Sequence, residues 1–115
     1  MGQTQKDIIR DQNDRFRKGD TAIPGQRVMT KGVAAMLDGD VAMQIAISQV
    51  VAEFDDFTPA NDPYQLHDFG IFDFQGQRCN WKIDLYDKTY EYGSSDPADL
   101  SKTNRVLTIL LASEY

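Results

Sequence analysis

Phe69-Gly-Ile-Phe-Asp-Phe-Gln-Gly-Gln-Arg-Cys-Asn-Trp-Lys-Ile-Asp-Leu-Tyr86 is the stretch on which the fold turns. From Arg78 to Tyr86 the side chains alternate. Cys79, Trp81, Ile83 and Leu85 fall on one face and Arg78, Asn80, Lys82, Asp84 and Tyr86 on the other, a pattern that only a half-buried strand shows. Residues 69–74 have the aromatic content of a strand, and Gln75-Gly76 predicts a tight turn between the two runs, hence a hairpin. Asp87-Lys88 then turns the chain into Thr89-Tyr-Glu-Tyr-Gly93, which predicts a third strand and an antiparallel β-meander over 69–93. Residues 105–112, Arg-Val-Leu-Thr-Ile-Leu-Leu-Ala, are apolar on both sides and too few for periodicity to separate strand from helix; their β-branched members favour strand.

Upstream, residues 5–18 place Ile8, Ile9 and Phe16 among charged residues, a weakly amphipathic helix ending before Gly19. Gly19 to Gly25 reads as a loop, and Arg27 to Thr30 as a short strand. Asp38-Gly39-Asp40 supplies an N-cap for a helix over about 40–54. Met43, Ile47, Val50, Val51 and Phe54 recur at three- and four-residue steps there, and Val41, Ile45 and Ala46 widen the apolar surface, so this helix is expected to be the most buried. Pro59 and Pro63 make the segment to His67 irregular, and Ser94 to Lys102, with Pro97, is a loop. The sum is a single compact α+β domain, 1–115, with two helices packed on one face of an antiparallel sheet of about four to five strands.

A chain of 13.0 kDa buries about two-thirds of its surface on folding, enough for a core without staples. The single cysteine, Cys79, excludes an intramolecular disulfide, a Cys-rich zinc site and a CxxC pair; sharing its face with Trp81, it reads as an inert buried thiol. There is no apolar run of membrane-spanning length, and the start Met1-Gly2-Gln3-Thr4-Gln5-Lys6-Asp7 lacks a secretory apolar stretch, so no membrane association and a cytoplasmic location are expected. The net charge of −6 is unevenly spread: residues 1–31 carry +3 and residues 32–115 carry −9. Glu53, Asp55, Asp56, Asp62 and Asp68 occur in 53–68 with no basic residue, and Asp84, Asp87, Glu91, Asp96 and Asp99 occur in 84–99 against Lys88. Such a field repels a phosphate backbone and attracts basic protein grooves, which disfavours direct nucleic-acid binding. A solvated face that only keeps the protein soluble is the plainer reading of the same charges.

Candidate chemistry is sparse. His67 and Asp68, with Asp55, Asp56 and Asp62 close in sequence, form the one set that could bind a divalent cation or supply a general base, although one imidazole with mobile carboxylates coordinates weakly. The Asp/Glu-x-Lys triplet of restriction-type nucleases does not occur; Lys82-Ile83-Asp84 has the order reversed and suits a surface ion contact. GxSxG, a phosphate-cradling Gly-rich loop and HExxH are likewise missing, and no cofactor is expected. Tyr86, Tyr90 and Tyr92 could anchor a protein partner or simply pack on the helices. Stacking on RNA would need basic surroundings, whereas Asp84, Asp87, Glu91 and Asp96 lie close by.

Phe54-Asp-Asp-Phe-Thr-Pro-Ala-Asn-Asp-Pro-Tyr-Gln-Leu-His-Asp-Phe-Gly70, Trp81-Lys-Ile-Asp-Leu-Tyr-Asp87, Tyr92-Gly-Ser-Ser-Asp-Pro97 and Arg105-Val-Leu-Thr-Ile-Leu-Leu-Ala-Ser-Glu-Tyr115 form a linked set of motifs. In them the chain resembles the bacterial domain-of-unknown-function family numbered 3768, and the likeness extends to Asn13-Asp-Arg-Phe-Arg17 and Val28-Met-Thr-Lys-Gly-Val33. In residues 34–52 only the helical pattern is shared. The resemblance carries over no catalytic residue; it implies an accessory protein of mobile genetic elements. The expected function is therefore non-enzymatic: an inhibitor of anti-CRISPR or anti-restriction type, acting as a DNA mimic. Asp55, Asp56, Asp62, Asp68, Asp84, Asp87, Glu91, Asp96 and Asp99 would occupy a basic groove of a host protein, with Tyr86 or Tyr92 as anchors. A metal-assisted hydrolase or nuclease using His67 and Asp68, and a structural homodimer through an exposed strand edge, are the alternatives.

Overall fold

The computed structural model describes residues 3–115, in the order α1 (Gln5–Arg17), β1 (Gly25–Met29), α2 (Lys31–Leu37), α3 (Val41–Ala52), β2 (Phe69–Phe74), β3 (Gln77–Tyr86), β4 (Asn104–Leu111) and a closing 3-10 turn, Ala112–Glu114. The four strands lie in the order β1-β4-β3-β2. The hairpin is where the alternation puts it, with Phe72 opposite Cys79 and Gly70 opposite Trp81. Gln75 and Gly76 both take positive φ, 52° and 75°, as a two-residue turn matched to strand twist requires.

Three expectations are corrected. The sheet is mixed, because β1 runs parallel to β4 while β2, β3 and β4 are antiparallel. The meander over 69–93 stops at Tyr86: Asp87 Oδ1 accepts from Thr89 N, Thr89 Oγ1 and Glu91 N, and this coils the chain into a turn that pairs with β3 through the single Tyr86–Gly93 bridge among the described residues. β4 takes the place beside β3 and lies between it and β1. Finally, there are three helices, not two. α2 is seven residues with a glycine inside, too short for a periodic signal. It is defined by Thr30, which caps its start, and by Asp38, left-handed at φ 49°, which closes it. Asp40 alone is the N-cap of α3.

All three helices cover the same face of the sheet. Phe16, Val33, Leu37, Ile47 and Val51 pack with Phe72, Cys79, Trp81, Ile83, Leu107 and Ile109, which the strand register puts on one side. Gly70 is required here, since a Cβ would run into the Trp81 indole nitrogen and the Phe54 ring. α3 is not the most buried helix: only Ile47 and Val51 are buried, while Val41 and Ile45 are 65% and 55% exposed. A helix apolar all round does not announce which side meets the core.

α1 differs in kind, because its buried side includes Gln12, Asn13 and Arg17. Arg17 reaches α3, donating from Nε to Val51 O at 3.1 Å and from Nη2 to Phe54 O at 3.0 Å, and so satisfies carbonyls at the end of that helix. Its guanidinium lies over the rings of Phe57 and Trp81.

Candidate functional site

The strand directions bring both acidic segments to one end of the sheet. Residues 53–68 lead into the start of β2, and residues 87–103 join the end of β3 to the start of β4. They meet where Ile83 N donates to Asp68 O at 2.9 Å, which sets Asp68 one residue from Asp84 across the strand pair. Asp68 is half-buried. Burial pushes its carboxyl above the usual range, and the charges of Asp62 and Asp84 push the same way, against a bond from its own amide and the attraction of His67.

α1 holds both segments. Arg10 donates to Gln65 O at 3.2 Å and Asn13 Nδ2 to Leu66 O at 2.9 Å, while Gln12 Nε2 donates to Ala98 O at 2.9 Å on the other segment. The arginines of α1 form their ion pairs with other carboxylates, Arg10 with Asp7, Arg15 with Asp20 and Arg17 with Asp14, while Arg17 also attracts Asp55 across a shared recess. Among the described residues, the loop carboxylates with an ion-pair partner are Asp62, at 3.6 Å from His67 Nε2, and Asp84, at 3.3 Å from Lys82.

The sequence-predicted residues divide accordingly. Asp55, Asp56 and Glu91 are exposed, and Asp84, Asp96 and Asp99 are partly so. Asp62 is buried, and its Oδ1 accepts from the amides of Leu66 and His67, so it closes the loop and faces no solvent. Asp87 and Asp99 each cap a turn; the Thr89 and Ser101 hydroxyls respectively, with nearby amides, hold these carboxyls below the usual range. Tyr86 packs on Tyr90 with centroids 6.4 Å apart, whereas Tyr92, 71% exposed, stands free. These tyrosines come from β3 and the following turn, not from neighbouring strands.

His67 is enclosed rather than displayed. Its ring stacks on Phe57 at 3.7 Å, Nδ1 contacts Asp14 at 2.9 Å and Nε2 faces Asp62, so carboxylates flank both nitrogens. At φ 52° its backbone is left-handed, a conformation kept by these contacts. Asp68 is not one of the two carboxylates that flank it. Among the described residues, no group of three or more His, Cys, Asp or Glu side chains is arranged to hold a metal ion. Cys79 is buried, and burial raises its thiol.

Sequence reasoning missed Arg105. It is fully buried; Nε donates to Asn13 Oδ1 at 2.8 Å, Nη2 donates to Gln12 Oε1 at 3.0 Å, and Nη1 has no partner among the described residues. Burial pushes the guanidinium down to about 10, so it is charged at neutral pH with no carboxylate against it. Its partners lie 92 and 93 residues away in the chain, and no local pattern marks such a contact.

Fold and surface together define a small α+β domain whose acidic loops gather at one end of a mixed four-stranded sheet. The chain belongs to the family described as "Protein of unknown function (DUF3768)", whose model matches residues 29–114. That match begins at the last residue of β1, so α1, with its grip on both loops and on Arg105, lies before it. No curated protein and no solved structure matches the chain. Among the described residues no helix is long and apolar enough to cross a membrane.

Proposed function

We propose that this protein is a non-enzymatic binding protein whose acidic end occupies a basic, nucleic-acid-binding groove on a partner protein. The observation that carries the reading is the junction of the two acidic segments at Asp68 and Asp84, on a sheet end where the α1 arginines form their ion pairs with Asp7, Asp20 and Asp14. Asp55, Asp56, Glu91 and Asp96 supply carboxylates in place of phosphates, and Tyr92 is the exposed aromatic anchor. Asp62, being buried, supports the loop from within. A role encoded by a mobile element against a host defence protein, of anti-CRISPR or anti-restriction type, fits this chemistry, since those targets hold nucleic acid in basic channels.

Association driven this way is steered by charge and weakens steeply with salt. The test immobilises the full chain and compares the proteins it retains from bacterial lysate with those retained by the Asp55→Lys, Asp56→Lys, Glu91→Lys variant. Wild type should retain a basic protein at low salt and the variant should not. Equal retention by both would overturn the reading.

A further inference from the structure

β1 forms one edge of the sheet and pairs only with β4. In a parallel ladder, successive residues turn their N–H and C=O groups alternately to either side. Thr30 N donates to Ile109 O and Arg105 N to Pro24 O, both at 3.1 Å. This sets Gln26 and Val28 toward β4 and leaves the backbone groups of Gly25, Arg27 and Met29 directed away from it.

Beside this edge α3 stands off. A cleft of about 460 Å³ lies between them, lined by Met29, Val41, Ile45 and Ala52 and by Lys18 and Arg27, the Arg27 guanidinium donating to Phe16 O and lying over the Phe16 ring. Not one of its lining residues is acidic, in a chain of net charge −6. The apolar wall is open to water: Met29, Ile45 and Val41 are all exposed. An unpaired strand edge, an exposed apolar wall and a lining with cations and no acid thus coincide.

We propose that this cleft takes an extended segment of a partner protein, which adds to the free edge of β1 as a fifth strand. On the face it turns to α3, its apolar side chains rest on Met29, Val41 and Ile45, and a carboxylate two residues along the same face meets Lys18 beside Arg27. The free backbone groups select an extended chain, and the cations select an acidic one. Charge also argues against a second copy of this chain: pairing β1 with β1 about a two-fold axis brings Arg27 and Lys18 of both copies together, like charges at close range.

The test is an NMR titration of the ¹⁵N-labelled full chain with the eight-residue peptide Thr-Val-Thr-Glu-Thr-Val-Thr-Glu, which puts valine and glutamate on one face of a strand, and with the same peptide carrying lysine for glutamate. The glutamate peptide should shift the amides of Gly25, Arg27, Met29 and Ile45 and slow hydrogen exchange at Arg27 and Met29. It should saturate at a concentration about tenfold lower than the lysine peptide. Lys18→Glu, an exposed change, should remove that preference, and Ile45→Asp should weaken both peptides, each with the dispersed spectrum of the folded chain. The proposal falls if the glutamate peptide leaves β1 unshifted or if the lysine peptide binds as well. It falls also if raising the protein concentration alone produces the same shifts, which would give the cleft to a second copy.

Discussion

Arg105 is the side chain whose removal should cost the fold most. Truncation to alanine leaves a cavity and strands the carbonyl oxygens of Gln12 and Asn13, both buried, so Arg105→Ala should lose about 3–5 kcal/mol. Arg105→Met, which fills more of the space and keeps Gln12 and Asn13 bonded to Ala98 O and Leu66 O, should lose less than Arg105→Ala. Urea midpoints at constant slope measure both. A loss below about 1 kcal/mol for the alanine change would mean that the guanidinium is not enclosed as described. At this scale the sequence was partly legible. Cys79 and Trp81 on one strand face follow from alternation, and burial of both bears it out. His67 between Asp14 and Asp62 does not follow, since Asp14 is 53 residues away and nothing local names it.

Among the elements, the C-terminal turn is tied to α2 by one carboxylate. Glu114 accepts from Thr30 Oγ1 at 2.6 Å, Gly32 N at 3.1 Å and Leu111 N at 2.9 Å, which holds its carboxyl below the ordinary 4.5, the Thr30 hydroxyl foremost. Gly32 leaves room for that carboxylate. For an acid depressed by folding, the contribution to stability is complete above its ordinary value and is lost as pH falls through the folded one. Glu114→Gln should therefore lower the melting temperature at pH 7, and the difference should close as the pH drops well below 4.5. Thermal unfolding across that range is the measurement; a constant gap would contradict the clamp. Elements set by local signals were readable, such as the turn at Gln75-Gly76 and the cap at Asp40. Those set by partners were not. The direction of β1 depends on which edge of the sheet it joins, and Thr89 to Gly93, strand-like in composition, is coiled by the Asp87 side chain.

For the whole molecule, the accessible surface of 6852 Å² exceeds the roughly 6,300 Å² expected for this mass, in keeping with a cleft left open between α3 and β1. The acidic loops gather where β2 and β4 begin and β3 ends, while the lining of that cleft holds cations and no acid. The separation of charge between residues 1–31 and 32–115 was visible in composition, but the approach of 53–68 to 84–99 was not, because it depends on the pairing of Asp68 with Ile83 and on the bonds from Gln12 and Asn13 to Ala98 and Leu66. The most direct measurement is the salt dependence of affinity for the protein captured at low salt. Wild type is compared with Asp55→Lys, Asp56→Lys on one segment and Glu91→Lys, Asp96→Lys on the other. Each pair of changes should weaken binding at least about tenfold at low salt and flatten the plot of log K against log salt. An affinity and slope unmoved by either pair would contradict a single anionic surface made by both loops.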